Sequence, residues 1–310
     1  MQRIGKTRGI KGAASWCAFA AILYLLCQYL LQALASYLMG LRVEGASLAN
    51  PVGYSQTAVN AIVLGIGILS LVVPAAWLLG VTRLGIADLR IARPPQWSPL
   101  FCIIAFLGLT NLGNVVGGLI ARLTGSGGEA TALPAGGTEL ALAYLTLCLL
   151  PAIGEELFFR GALQGLMRPC GSAAAIFAPA LLFALLHLDL AQGITAFLGG
   201  LFLGWLAERT GSILPCMLLH LINNTIAFAD IYLQLYAPGT LATAVELAIL
   251  LGFPLLAGWL VWRAVTRQGF SFEAGLRPGA EIPAVFSSPA YTLAAAALAV
   301  LTLWQSFRPN

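Results

Sequence analysis

Leu149-Leu150-Pro151-Ala152-Ile153-Gly154-Glu155-Glu156-Leu157-Phe158-Phe159-Arg160-Gly161-Ala162-Leu163 sets two carboxylates and a guanidinium inside a run that is otherwise apolar from about residue 140 to 167. About 20 apolar residues suffice for a helix to cross the hydrocarbon core of a bilayer. Outward from this stretch, similar runs cover about 13–39, 57–81 and 99–121 on one side. On the other they cover about 173–188, 191–207, 212–230, 241–262 and 290–306. Clusters of Gly, Pro and charge separate them, as in Ile91-Ala92-Arg93-Pro94-Pro95 and Arg168-Pro169-Cys170-Gly171. The pattern predicts an all-α, polytopic transmembrane bundle of about eight or nine spans, with the fifth and sixth short enough to be partly re-entrant. The expected organisation is N-terminal spans over 1–139, a core over 140–230 built from spans four to seven, and C-terminal spans over 231–310.

Composition agrees. Hydrophobic residues make up 59% of the 310 and charged ones 9%, with a mean hydropathy of +0.89. Soluble domains carry roughly 25% charged residues, so this chain cannot cover a water-facing surface and lipid is its expected solvent. No nucleic-acid partner is expected of a net charge of +4. The six cysteines, Cys17, Cys27, Cys102, Cys148, Cys170 and Cys216, lie mostly in apolar runs without paired spacing. They read as small buried residues, not as a disulfide or zinc framework.

Basic residues fix an orientation. The first span follows Arg3, Lys6, Arg8 and Lys11; it is too long for a signal peptide, lacks a convincing cleavage site and reads as a mature helix. With the N-terminus in the cytoplasm and the spans alternating, that side also receives Arg83, Arg90, Arg93, Arg168, Arg209, Arg263, Arg267 and Arg277. The outer side receives Arg42, Arg122 and Arg308. This is the asymmetry of the positive-inside rule.

Ionisable side chains at membrane depth are costly and mark function by default. Here they are Glu155, Glu156, Arg160, His187, His220 and Glu246, with Asp189 and Asp230 near span ends. Glu156 and Arg160 are four apart and stack on one helical face. Adjacent helical residues point about 100° apart, so Glu155 is left free to face a cavity. A structural ion network is the competing reading of all three. Phe183-Ala184-Leu185-Leu186-His187 ends the fifth span with one of the chain's two histidines, and His220-Leu221-Ile222-Asn223-Asn224 sets His220 and Asn224 on one face. Helix packing and interhelical hydrogen bonding would also account for these. Counted at a rise of about 1.5 Å per residue from the cytoplasmic side, all three motifs reach the middle-to-outer bilayer.

The ordered trio of Glu155-Glu156-xxx-Arg160, Phe183-xxx-His187 and His220-xxx-Asn224 resembles the CAAX prenyl protease 2 family, also called CPBP intramembrane proteases. The likeness covers roughly 140–230, and the flanking helices match only as generic spans. It implies an intramembrane endopeptidase acting on a membrane protein or peptide, with a prenylated CAAX-type tail as one possible substrate. It carries water activation to Glu155, a catalytic role to His187, and oxyanion or ligand roles to His220 and Asn224. Glu156 and Arg160 complete the first motif in support. A multi-pass protein of the bacterial inner (plasma) membrane is the implied setting.

Amide hydrolysis needs a deprotonated water, a stabilised oxyanion and a proton for the leaving amine. A carboxylate suits the first and last tasks, and donors on one helical face suit the second. The residues fit this chemistry without metal. Zn²⁺ held by Glu155, His187 and His220 is the other version, although no His-Glu-xx-His helix is present. Cys216, four before His220, permits a Cys–His pair by spacing. Asp189 is placed to steady His187, and Gly200-Leu201-Phe202-Leu203-Gly204 is a small-xxx-small packing face. Two other functions compete. A transporter or proton relay would use the same groups, but no internal repeat is seen. A non-catalytic, immunity-type membrane protein would use the cluster as a structural lock.

Overall fold

The computed structural model describes residues 2–44, 47–94, 97–124, 133–268 and 281–307. Helices dominate: α1 (Gln2–Met39), α2 (Gln56–Thr82) and α3 (Pro99–Thr124) are followed by α4 (Gly137–Cys170), a composite helix of 34 residues. Then come α5 (Ser172–Leu185), α6 (Leu190–Thr210), α7 (Leu214–Tyr236), α8 (Gly239–Gln268), the short α9 (Glu281–Phe286) and α10 (Pro289–Ser306). A small antiparallel hairpin, β1 (Arg42–Glu44) and β2 (Ser47–Ala49), joins α1 to α2 with Arg42 opposite Ala49. Every expected span falls on a helix. Among the described residues seven helices, α1–α4 and α6–α8, are long and apolar enough to cross a membrane, and the chain is an integral multi-pass membrane protein.

The short fifth span is real: α5 has 14 residues, about 21 Å of helix. The sixth is not short, since α6 runs for 21 residues. Local signals explain these limits. Asp189 and Ser288 accept hydrogen bonds from Gln192 N and Tyr291 N and so start α6 and α10, while Gly211, at φ +64°, closes α6 in the left-handed conformation that glycine adopts without a Cβ penalty.

Packing surrounds α4. On one side α1 and α2 pair, with α10 against α1. On the other, α3 lies between α6 and α8, and α5 lies along α6. Glycine permits the close crossings: a Cβ at Gly113 or Gly117 would sit within 3 Å of Thr195 or Ala191 of α6. The small-xxx-small face behaves as its sequence predicts, Gly200 and Gly204 receiving Ala180 and Ile176 of α5. The main apolar core runs from Ile10 through Phe158, Phe159 and Leu182 to Leu298, so the first, central and last helices share it.

At one end of the bundle, Arg90 Nη1 and Arg168 Nε bind opposite oxygens of Glu208, at 3.2 and 2.8 Å. The α2–α3 connection and the ends of α4 and α6 therefore meet at one end of the bundle. Arg277 and Arg308 lie outside the described residues, as do the side chains of Arg3, Lys6 and Arg8.

Candidate active site

The decisive local feature is the backbone of α4. Leu145–Leu149 and Glu156–Leu163 are π-helical, flanking a short α-helical stretch at Leu150–Glu155. Wider π turns inside α-helices cluster at functional sites because they re-aim side chains. Here they correct the expectation that the two glutamates address different places: both reach His220 of α7. His220 Nδ1 lies 2.8 Å from Glu156 Oε1, and Nε2 lies 3.9 Å from Glu155 Oε2. A carboxylate oxygen in a short contact with a ring nitrogen accepts, so Nδ1–H donates and Nε2 is the atom left facing Glu155.

Glu156 also accepts from Arg160 Nη1 at 2.9 Å, as its spacing predicts. Both are buried, at 0% and 2% exposure. The Arg160 guanidinium carbon stands 4.8 Å from the centre of the Phe183 ring, which adds a cation–π contact. Phe183 is a hub: the rings of His187 and His220 meet it edge-on at 4.8 and 6.3 Å, and that of Phe159 at 4.9 Å.

His187 follows the end of α5, in a turn where Leu188 takes φ +52°. Such a conformation in a branched residue marks a locally constrained backbone. His187 Nδ1 donates to the Phe183 carbonyl at 2.8 Å, which fixes the ring and leaves Nε2 available. Asp189 does not hold this ring; it is spent capping α6.

His187, His220 and Asn224 line one cavity of about 270 Å³, together with Thr110, Phe183 and Asn223. Asn224 Nδ2 reaches the Leu147 carbonyl of the first π segment at 3.4 Å. Glu155 lines a different cavity, between α4 and the α1–α2 pair, of about 230 Å³. Direct contacts therefore gather Glu155, Glu156, Arg160 and His220, whereas His187 and Asn224 join them through the cavity on which His220 opens.

Two positions escaped the sequence reading. Asn223 accepts from the Thr110 hydroxyl at 2.9 Å, tying α7 to α3 at the cavity wall. Two consecutive asparagines in an apolar helix were the available signal for Asn223; a lone threonine gave none for Thr110.

Cys216 is fully buried, and its thiol donates to the Leu203 carbonyl at 3.2 Å. For zinc, the hydrogen bonds at Nδ1 leave both Nε2 atoms available, as a ligand role would need, but the described residues hold no group of three His, Cys, Asp or Glu side chains placed to bind a metal ion. This donor set does not fit the ion.

Residues 137–226 match the family described as type II CAAX prenyl endopeptidase, Rce1-like. The match covers 90 of the 310 residues. No curated protein and no solved structure matches the chain. The matched segment opens where α4 opens and ends within α7, so it contains Glu155, Glu156, Arg160, His187, His220 and Asn224. Thr110, on the same cavity, comes from outside it.

Proposed function

We propose that this protein is an intramembrane endopeptidase that hydrolyses a peptide bond of a membrane-associated protein or peptide, using water activated by Glu155. The observation that carries the reading is the clamping of His220 between Glu156 and Glu155, over a cavity it shares with His187 and Asn224. A prenylated CAAX-type tail belongs to the proposed substrate class. The protease core is the 140–230 segment. In this reading the end bearing Arg90 and Arg168 faces the cytoplasm of a bacterial cell, with the protein in the inner membrane.

Charge counting supports the assignment. Glu156 and Arg160 neutralise each other, so Glu155 and His220 together need one proton to complete a neutral cluster in a low-dielectric site. That proton resides on Glu155 or on His220 Nε2, which lie 3.9 Å apart, a separation that one water can bridge. Glu155 takes a proton from the attacking water as its oxygen bonds to the carbonyl carbon. Asn224 Nδ2 and the protonated Nε2 of His220 donate to the oxyanion, and His187 Nε2 orients the water. The C–N bond then breaks, and Glu155 returns its proton to the amine nitrogen.

Membrane proteomes of cells carrying wild-type and Glu155→Gln protein provide the test. Uncleaved precursors are expected to accumulate in the variant while the protein itself inserts normally. Turnover of a precursor so identified should fall at least about a hundredfold in the purified variant, the usual size of a lost general base. Wild-type turnover by Glu155→Gln would end the reading.

A further inference from the structure

Glu155 lines one of two cavities that share no lining residue, and its carboxylate lies 3.9 Å from His220, which lines the other. The cavity it lines carries several polar side chains. Tyr24, Gln28 and Gln32 follow one another at four-residue intervals along a single face of α1, and all three border this cavity. Ser70 of α2 and Thr146 of α4 close it from the other sides. Ser70 is 1% exposed, and its hydroxyl has no protein hydrogen-bond partner among the described residues. A buried hydroxyl in a helix ordinarily finds a partner, commonly a carbonyl of the preceding turn. One that lacks such a bond and lines a polar cavity is placed to bind a small polar ligand there. About 230 Å³ is room for several waters, each of which needs two to four polar partners.

We propose that this cavity is a water-binding site that supplies Glu155 from the face opposite the substrate. The inference rests on Glu155 being the water-activating group. Each turnover consumes one water: an O–H bond breaks, the proton goes to Glu155 and the oxygen to the carbonyl carbon. A peptide seated over His187, His220 and Asn224 fills the front of the site, and acyl chains surround the bundle. Replacement water then comes along the Gln32–Gln28–Tyr24 face, which spans about 12 Å of helix and leads to the carboxylate.

Pulsed hydroxyl-radical labelling of the full-length protein in nanodiscs tests this without requiring turnover, because radicals made from bound water oxidise adjacent rings and Tyr24 is the reporter. Tyr24 is expected to be labelled in the wild type and in Glu155→Gln, and to stay labelled with an uncleavable peptide bound. The Gln28→Leu/Ser70→Val variant should lose most of this labelling and about tenfold in kcat, with KM unchanged. An unlabelled Tyr24 in the wild type would overturn the proposal, and so would labelling abolished by the peptide, which would assign the cavity to substrate. A folded double variant with undiminished kcat would overturn it too. If Glu155→Gln is inactive while Tyr24 stays dark, the supply route fails and the catalytic assignment stands. If Glu155→Gln turns over normally, the catalytic assignment fails whatever the labelling.

Discussion

Two ion-pair clusters, built from similar side chains, sit at opposite extremes of solvation. Arg90, Arg168 and Glu208 join the α2–α3 connection to the ends of α4 and α6, where their side chains are 31%, 13% and 15% exposed. Glu156 and Arg160 lie in the interior at 0% and 2%, and share His220 as a third member. Water can replace a lost partner in the first cluster. In the second it cannot, so each member is held by the others and the geometry around His220 is rigid. The same chemistry thus serves as a clasp at the rim and as a fixed frame at the centre.

Breaking the inner cluster should have the largest effect. Arg160→Met leaves Glu156 charged and buried, and is expected to cost about 3–5 kcal/mol in chemical unfolding in micelles. Adding Glu156→Gln removes the orphaned charge but keeps an acceptor for His220 Nδ1, and should recover at least about half of that loss. No recovery would mean that the guanidinium acts through Phe183 and not through charge.

The outer cluster should respond less, and differently to salt. Glu208→Gln is expected to cost about 1 kcal/mol, and the difference should shrink between low and high ionic strength. A cost that is large and indifferent to salt would place Glu208 with the inner cluster. The smallest effect is expected at Cys216→Ala, which removes a weak thiol donor beside the inner cluster: turnover should stay at the wild-type level. An inactive, folded Cys216→Ala would restore the Cys216–His220 pair that spacing allows.

Much of this arrangement can be read from the residues alone. Apolar runs located the long helices, though not the short α9, because lipid leaves few alternatives to a continuous helix. Scarcity pointed to the candidate site, since two histidines and a short list of charges within the spans leave few combinations. The backbone of α4 was not legible: nothing in Glu155-Glu156 announces a π turn, and an ideal helix sends the two carboxylates apart. Asp189 misled for a related reason, as a carboxylate two residues after a histidine also stands where a helix cap belongs, and the cap won. The Tyr24-Gln28-Gln32 face went unremarked because amides carry no charge and α1 otherwise reads as a generic span.

The pairing of the first helix with the last bears on how the protein is made. The Ser15 hydroxyl meets that of Ser288 at 2.9 Å, 273 residues later, and Tyr291 reaches back to the Ala178 carbonyl of α5. A ribosome delivers α1 and the whole protease segment before α10 exists. Until that final helix arrives, α1 and α5 lack their closing neighbour. That side of the bundle is thereby completed late, a delay written into the order in which its walls emerge.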